Sequence, residues 1–379
     1  MVKVLHTADV HIGKVFEQFG SFGRQLRTQI RETFRKVLDL AATQRVDAVL
    51  LAGDIFDSDK IAIADIRFFM EGINLIKPIP VLFLPGTWTH DSIFQKAIFR
   101  SHQFLDGKPE NLYVFTQETP ETFRVASGEL AIHGRAVLPD TDNPLDGIGP
   151  DSQASFNIGL MHTAVALPQI PEEPGTCALR RDQVERCGLD YLALGHWHSF
   201  RRYFVDAKTV VQYSGPPETL NFGEDSGCVA LVTLGSGPLQ VEKCEVGHYK
   251  WQELNISWQD IGSVEELKKQ VTCLASPRTI VRVKMAGCVS DRQLVDWDRF
   301  SDEVSPLFAH IHLDTSQVKE ELPLEQLEQA YRENTVQRAF VTLVQSALET
   351  AQNDAEKQKL LEALRRGHAL FQGYEEVSQ

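Results

Sequence analysis

The sequence has 379 residues, 42% of them hydrophobic, which is enough for two or three domains with a sizeable core. Its net charge of −14 counts against a protein that binds nucleic acids through a generally basic surface. No apolar run reaches the ~18 residues of a membrane span and no signal-peptide pattern is present, so we expect a cytoplasmic protein without membrane spans.

The first predicted elements are a short strand and a long helix. Residues 2–5 are a β-branched run that ends shortly before Asp9 and His11, and this Asp-x-His spacing suits a manganese, iron or zinc ion. Apolar residues at helical spacing predict a helix over residues 21–44. The same helix carries a stripe of arginines, which fits either a solvated face or a face that contacts phosphate groups. The stripe comprises Arg24, Arg27, Arg31 and Arg35.

Further apolar runs also end at aspartate or histidine. The run over residues 47–53 predicts a buried parallel strand, followed by Asp54 and, three residues later, Asp57. The runs over 80–85, 156–161 and 191–194 are followed by His90, by His162, and by His196 and His198. Because open α/β sheets keep their ligand crevice at the C-terminal ends of the strands, we expect these side chains to meet in one metal site.

The candidate ligands outnumber those that one catalytic metal ion requires. They are Asp9, His11, Asp54, His162, His196 and His198. Two ions about 4 Å apart that share a carboxylate would use all of them, and such pairs promote in-line phosphoryl displacement. His90 is then a candidate general acid for the leaving alcohol. The residues predict a two-metal phosphoesterase, in which histidine ligands favour manganese, iron or zinc over magnesium or calcium.

The order of these motifs resembles that of the calcineurin-like metallophosphoesterases. Asp9-x-His11, Gly53-Asp54-x-x-Asp57, His90-Asp91, His162 and Gly195-His196-x-His198 match the five family motifs. The spacing is similar to that of the SbcD-type DNA repair exonucleases, as is the segment from Val211 to Glu218 followed by Asn221-Phe222-Gly223-Glu224. The resemblance covers residues 2–246, roughly two thirds of the sequence.

The resemblance implies a four-layer α/β/β/α sandwich and a set of ligands. One ion would be held by Asp9, His11, Asp54 and His198, and the second by Asp54, His162, His196 and one further residue. The family has an asparagine at that last position, whereas this sequence is two residues longer and has Thr89 there, a poorer ligand. Asp57 would orient the Asp54 loop or a group of the substrate rather than bind metal.

The last third of the sequence has a different pattern. Strands predicted over residues 280–285 and 309–313 and a helix predicted over residues 291–304 indicate a small α+β unit over residues 249–322. It has the position of the capping domain of SbcD-type nucleases. Two amphipathic helices are predicted within residues 323–379, and in that family such helices dock a coiled-coil ABC-type ATPase of the SbcC type. We therefore expect a nuclease domain over 1–248, a capping domain and a partner-docking segment. The resemblance is also compatible with a homodimer.

Three functions remain open for this sequence. The leading one is a Mn²⁺-dependent DNA exonuclease, with endonuclease activity also open, that works with the ATPase in DNA repair or in defence against foreign DNA. Its narrow basic path would comprise Arg24, Arg27, Arg31, Arg201 and Arg202. The second is a phosphoesterase of small molecules or proteins, which would stay active after truncation near residue 246. The third is an attenuated scaffold subunit, which the threonine at position 89 motivates.

Overall fold

The computed structural model describes residues 1–58, 61–86, 102–136, 143–167, 177–261, 263–289, 295–320, 327 and 331–371. The chain divides into two compact units, Met1–Lys250 and Trp251–Gln379. The first unit ends two residues after the boundary expected at residue 248, and the division of the second unit into a cap and a docking segment stays a prediction. Within the described ranges, no helix has the length and apolar character needed to cross a membrane.

The first unit contains two six-stranded sheets. The strands of the first sheet are β1 (Val2–Thr7), β2 (Ala48–Ala52), β3 (Val81–Leu84), β4 (Leu112–Val114), β13 (Cys228–Leu234) and β14 (Gln240–Glu245). Their order is β14-β13-β1-β2-β3-β4. Strands β1 to β4 are parallel, β13 pairs with β1 in the antiparallel sense, and β14 pairs with β13 in the antiparallel sense. The carboxyl ends of β1, β2 and β3 therefore meet at one edge.

The second sheet has a similar plan. Its strands are β5 (Glu121–Val125), β6 (Leu130–Gly134), β7 (Phe156–His162), β10 (Tyr191–Gly195), β11 (Arg201–Tyr203) and β12 (Val210–Tyr213), in the order β11-β12-β10-β7-β6-β5. The four inner strands are parallel and the two edge strands are antiparallel. Two short strands, β8 (Ala164–Val165) and β9 (Ala178–Leu179), pair separately.

In the part of the first unit that the structure describes, four helices accompany these sheets. They are α1 (Gly20–Gln44), α2 (Ile63–Leu75), α3 (His102–Leu105) and α4 (Arg181–Cys187). The helix predicted over residues 21–44 is confirmed, and its apolar residues Leu26, Ile30 and Phe34 are buried. The helix ends at Gln44, and the next residue, Arg45, has a left-handed φ of 52°.

The cores show how these elements pack. Alternate residues of both sheets, such as Leu50 on β2 and Leu160 on β7, share one buried core, so the two sheets face each other. On the other side of the first sheet, the ring of Phe69 on α2 lies 5.8 Å from that of Phe34 on α1 and 5.9 Å from that of Phe83 on β3. Val184 on α4 packs into a core with outer residues of the second sheet. The predicted α/β class is confirmed.

The second unit is built around a three-stranded sheet. Its elements are β15 (Lys250–Ser257), α5 (Val264–Thr272), β16 (Ser276–Val289), α6 (Trp297–Val304), β17 (Phe308–Glu320), α7 (Val336–Thr350) and α8 (Asp354–Phe371), with strand order β15-β16-β17. Strands β16 and β17 extend well beyond the predicted ranges 280–285 and 309–313, because their parallel pairing continues past two irregularities of register. The helix predicted from residue 291 begins at Trp297, where the Asp296 side chain caps it by accepting the N–H of Arg299.

Candidate metal centre

Two loops at the edge of the first sheet carry the first candidate ligands and are joined by backbone hydrogen bonds. The N–H of Asp9 donates to the carbonyl of Gly53 at 3.0 Å, and the N–H of His11 donates to that of Asp54 at 3.0 Å. In the second sheet His162 is the last residue of β7 and lies opposite Gly195 of β10. His196 and His198 follow directly. The strand-end placement predicted from the sequence thus holds for all six side chains.

The potential ligand atoms fall into two overlapping groups. Atoms of Asp9, His11 and His198 lie within 4.8 Å of one another, as do atoms of Asp9, Asp54 and His162. Asp9 belongs to both groups, whereas the family resemblance makes Asp54 the shared carboxylate. The ring of His196 lies 5.6 Å from that of His162, centroid to centroid, at the border of the second group. Whether these residues bind metal stays a prediction.

The backbone at these residues is strained. Asp9, His11, Asp54 and His196 have φ values of 54°, 52°, 46° and 110°. Residues other than glycine adopt positive φ uncommonly and at a cost, and such conformations cluster at functional sites. Four of the six candidate ligands share this feature, so the strand ends hold their side chains in place at the expense of local backbone energy.

Two glycines permit the close packing of this centre. A Cβ atom at Gly86 would lie 1.8 Å from Oδ1 of Asp54, and one at Gly195 would lie 1.8 Å from the carbonyl oxygen of Ala52. Both distances are far inside van der Waals contact, so any side chain there would displace a ligand-bearing loop. Gly86, which precedes the third motif, and Gly195, the first residue of the fifth, therefore permit close packing around the site.

Three of the histidines are oriented through the ring nitrogen Nδ1. Nδ1 of His11 lies 3.0 Å from Oδ1 of Asp57, and Nδ1 of His198 lies 2.9 Å from Oε1 of Glu224. Nδ1 of His162 lies 2.9 Å from the carbonyl oxygen of Ala52. When Nδ1 donates, the lone pair is on Nε2, and this tautomer suits metal binding. Asp57 thus contacts the candidate ligand His11, and its expected role in orienting the Asp54 loop or the substrate stays a prediction.

Burial and neighbouring charges shift the pKa values of several groups in this centre in different directions. Burial, followed by the nearby His162, lowers the pKa of His196 to about 4. Asp9 is fully buried, and burial raises its pKa although the surrounding histidines oppose that shift. Burial would also raise the pKa of Asp57, but hydrogen bonding and charge from His11 and Lys14 lower it overall. Nε2 of His11 is buried without a hydrogen-bond partner in the described ranges, as expected of an atom that binds a metal ion.

Two predicted site residues cannot be placed in this centre. Thr89, the expected substitute for the family asparagine, and His90, the expected general acid, lie outside the described residues. Their roles stay predictions. Glu224 is not among the predicted site residues: its segment resembles that of the SbcD-type enzymes, but spacing alone does not indicate its contact with His198.

The arginines of the expected basic path have different surroundings. Arg27 and Arg31 both donate to the buried carboxylate of Asp65 on α2. Arg31 and Arg35 also lie over the ring of Phe68. Arg24, Arg201 and Arg202 are exposed. Half of the helix stripe therefore joins α1 to α2, and contact of any of these arginines with DNA stays a prediction.

The sequence also has similarities to known proteins. The family model described as calcineurin-like phosphoesterase matches residues 2–200. The chain is 24% identical over 287 residues to the uncharacterized metallophosphoesterase YhaO of Bacillus subtilis, covering 70% of this chain and 66% of that protein. It is 29% identical over 277 residues to the DNA double-strand break repair protein Mre11 of Aeropyrum pernix, with coverages of 70% and 66%. For the protein of the same name from Sulfurisphaera tokodaii the identity is 25% over 232 residues, with coverages of 59% and 56%. The chain thus spans 56% to 66% of the length of these relatives.

Proposed function

The chain belongs to the calcineurin-like phosphoesterase family, and we propose that within it the protein is a DNA nuclease that cleaves phosphodiester bonds with two divalent metal ions. Membership confirms the family resemblance found in the sequence and the predicted class of enzyme, one that hydrolyses phosphoesters with the help of divalent metal. The DNA substrate, the number and identity of the ions and the partner are what we propose beyond that membership.

The cluster of ligand-type side chains at the strand ends carries this proposal. Its two overlapping groups share Asp9, and such sharing is typical of paired ions. The buried Nε2 of His11, without a hydrogen-bond partner in the described ranges, fits a metal ligand. When bound, divalent ions lower the pKa of water and stabilise the charge that develops on the phosphoryl group.

Residues of this chain would orient the candidate ligands and supply the proton for that chemistry. The N–H of His196 donates to both carboxylate oxygens of Asp9, at 3.1 and 3.2 Å, and so fixes the shared ligand. The low pKa of His196 keeps its ring neutral at physiological pH, the form that binds metal. We assign to His90 the donation of a proton to the leaving alcohol, as predicted from the sequence.

DNA as the substrate is supported by the relatives and by the arginines. Two of the relatives are named DNA double-strand break repair protein Mre11, and the match to one of them takes in 277 residues, more than the family model spans. Arg27 lines a cavity of about 180 Å³ together with Asp57, next to the candidate centre. Arg201 and Arg202 follow His198 within four residues. These cations suit the phosphates that flank a scissile bond.

The partner that we propose is a coiled-coil ABC-type ATPase of the SbcC type. Val341 and Val344 of α7 are buried with Leu364 of α8, so the helix pair has a core of its own. Val336 and Leu343 are 77% and 71% exposed and lie seven residues apart, on one face of α7. An exposed apolar face of this kind suits a helical partner. A partner that completes the DNA path would also offset the net charge of −14.

The docking proposal can be tested with the full chain and such an ATPase. Replacing both Val336 and Leu343 with glutamate should abolish co-purification. Thr342→Glu adds a charge to the neighbouring exposed face of the same helix and is the matched control. Unchanged co-purification of the double variant would remove α7 as the docking site.

The nuclease proposal is tested with end-labelled duplex and single-stranded DNA, with and without Mn²⁺. We expect Mn²⁺-dependent cleavage that Asp54→Asn abolishes. Asp39→Asn, at an exposed position on α1, makes the same chemical change away from the centre and should cleave like the wild type. Mn²⁺ is proposed because mixed histidine and carboxylate ligands suit it, and comparison with Zn²⁺ and Mg²⁺ in the same assay tests that choice.

The alternative functions give different results in this assay. Hydrolysis of a small phosphodiester without cleavage of either DNA would favour a small-molecule phosphoesterase. No hydrolysis of either substrate, even with the ATPase present, would favour an attenuated scaffold subunit.

A cytoplasmic location stays part of the proposal and is tested by fractionation.

A further inference from the structure

A loop between β12 and β13 brings a carboxylate to the candidate metal centre. The loop is closed at its neck, where the N–H of Gly227 donates to the carbonyl of Pro216 at 2.9 Å. Glu224 within it has a side chain that is 14% exposed, and its Oε1 lies 2.9 Å from Nδ1 of His198. This contact joins a surface loop to one of the candidate ligands.

The second oxygen of the Glu224 carboxylate is bound to the loop itself. Oε2 accepts the N–H of Leu220 at 2.9 Å and that of Asn221 at 3.1 Å, and the hydroxyl of Ser226 lies 3.4 Å away. With both oxygens engaged, the side chain has a single orientation. Because the loop fixes the position of the carboxylate, the carboxylate can restrain the orientation of the His198 ring.

We propose that Glu224 is a positioning residue of the metal centre, which holds His198 with Nδ1 as a hydrogen-bond donor and Nε2 available to a divalent cation. This inference rests on the proposed two-metal site. A carboxylate behind a metal-bound histidine fixes the tautomer of the ring and raises its basicity as a ligand.

The same arrangement makes the two metal positions unequal. Asp57 contacts His11 as Glu224 contacts His198, so both histidines of the group that they form with Asp9 have a carboxylate behind them. In the other group His162 contacts a backbone carbonyl instead. The group containing His11 and His198 therefore binds its ion more tightly, and this position fills first.

A glutamine at position 224 cannot perform both tasks of the carboxylate. Its amide has one acceptor oxygen and one donor nitrogen. If the oxygen faces the N–H groups of Leu220 and Asn221, the NH₂ group donates to Nδ1 of His198 and leaves the ring proton on Nε2, where it blocks a metal ion. If the amide is reversed, the two backbone N–H groups lose their acceptor.

Calorimetric titration of the metal-free protein with Mn²⁺ tests the proposal. Glu224→Gln should weaken the tighter of two binding events about 10- to 100-fold and leave the weaker one unchanged. The visible spectrum of the Co²⁺-loaded variant should change as well, because the coordination of one ion changes.

Glu218→Gln is the matched control. Glu218 lies in the same loop and is 3% exposed, but it accepts from the hydroxyl of Thr33 and the N–H groups of His248 and Tyr249. Its replacement should lower the melting temperature and leave both Mn²⁺ affinities and the Co²⁺ spectrum unchanged. Should Glu224→Gln not fold, Glu224→Asp keeps an acceptor for the loop but is one methylene shorter towards His198, and should show the same weakened binding.

The outcomes separate this inference from the proposed function. Wild-type affinities and an unchanged Co²⁺ spectrum in a folded Glu224 variant would overturn the positioning role. Equal weakening by Glu218→Gln would also overturn it, since the loop would then act only through its fold. A wild-type protein that binds no Mn²⁺ would instead overturn the two-metal nuclease itself.

Discussion

Two buried aspartates of the first unit differ in the groups that surround them. Asp65 on α2 is 1% exposed and receives hydrogen bonds from both Arg27 and Arg31. Asp9 is 0% exposed and receives the backbone N–H of His196, and in the described ranges no lysine or arginine nitrogen lies within 4.0 Å of it. Burying a charge is costly unless it is paired. Two arginines already compensate the charge of Asp65, whereas a bound cation would be needed to compensate that of Asp9.

The backbone conformations at the two kinds of aspartate also differ. Asp65 lies in the first turn of a regular helix, where an acidic side chain is favourable. Asp9 and Asp54 both have positive φ. Such strain persists only when the surrounding structure holds it, here through the hydrogen bonds that join the two loops of candidate ligands. The comparison indicates that a buried carboxylate on strained backbone, without a lysine or arginine partner among the described residues, is a candidate metal ligand.

The largest expected effect is that of removing the Asp9 charge. Asp9→Asn should lower phosphodiester hydrolysis by about 10³-fold, because bound metal stabilises the transition state by several kcal/mol. The unfolding free energy of the metal-free protein should not fall, since an unpaired buried charge has been removed. Steady-state kinetics and urea denaturation measure the two quantities. Wild-type activity of this variant would show that Asp9 is not the shared ligand.

The reverse pattern is expected for the paired aspartate. Asp65→Asn leaves two guanidinium groups without their carboxylate and should lower the unfolding free energy by about 2 kcal/mol, less than for a fully buried pair because both arginines are partly exposed. Activity per folded molecule should stay within a few fold of the wild type. Loss of activity at full stability would mean that Asp65 also belongs to the metal centre.

A smaller effect, on DNA affinity, should distinguish an exposed arginine from one that is paired with Asp65. Arg202→Ala removes an exposed cation and should lower the slope of log affinity for DNA against log salt concentration by about 1. Arg31→Ala, whose charge is already paired with Asp65, should change that slope less while lowering stability. Fluorescence anisotropy over a series of salt concentrations measures both slopes. Equal changes would show that pairing with Asp65 does not keep Arg31 from the phosphates.

The smallest effect concerns Glu218, a buried carboxylate that accepts hydrogen bonds from a hydroxyl and two backbone N–H groups. Burial raises the pKa of Glu218 above its ordinary value of 4.5, against the effect of its hydrogen bonds. The folded protein then holds the proton more tightly than the unfolded chain, so the stabilisation present below pH 4.5 is lost as the pH rises through the folded pKa. The unfolding free energy of the wild type should therefore fall with rising pH relative to Glu218→Gln.

This pH effect is measured by denaturation from about pH 4.5 to about pH 7. Glu242→Gln, at an exposed position on β14, is the control and should show no such trend. A wild-type protein that gains stability over this range relative to Glu218→Gln would contradict the raised pKa.

The sequence allowed much of the first unit to be predicted for a clear physical reason. Buried parallel strands are short apolar runs, and the candidate ligands follow them immediately, so Asp54 and His162 could be placed from local pattern. The periodicity of α1 likewise identified its buried face. The pattern could not indicate that Arg27 and Arg31 pair with Asp65, because that contact joins residues 34 or more positions apart.

The sequence pattern could not indicate the role of Glu224 for the same reason. It lies 26 positions from His198, in a loop without periodicity, and only the closed conformation of that loop brings the two together. In the second unit, long strands with irregular register were predicted too short, since pairing with a partner strand rather than local pattern sets their ends.

The central claim is that the strand ends of the first unit bind divalent metal through Asp9. Diffraction at the manganese absorption edge, from crystals grown with Mn²⁺, tests it most directly. The expected result is two anomalous peaks that share the Asp9 carboxylate, one beside His11 and His198 and the other beside Asp54 and His162. The absence of any peak within coordinating distance of Asp9 would contradict the claim.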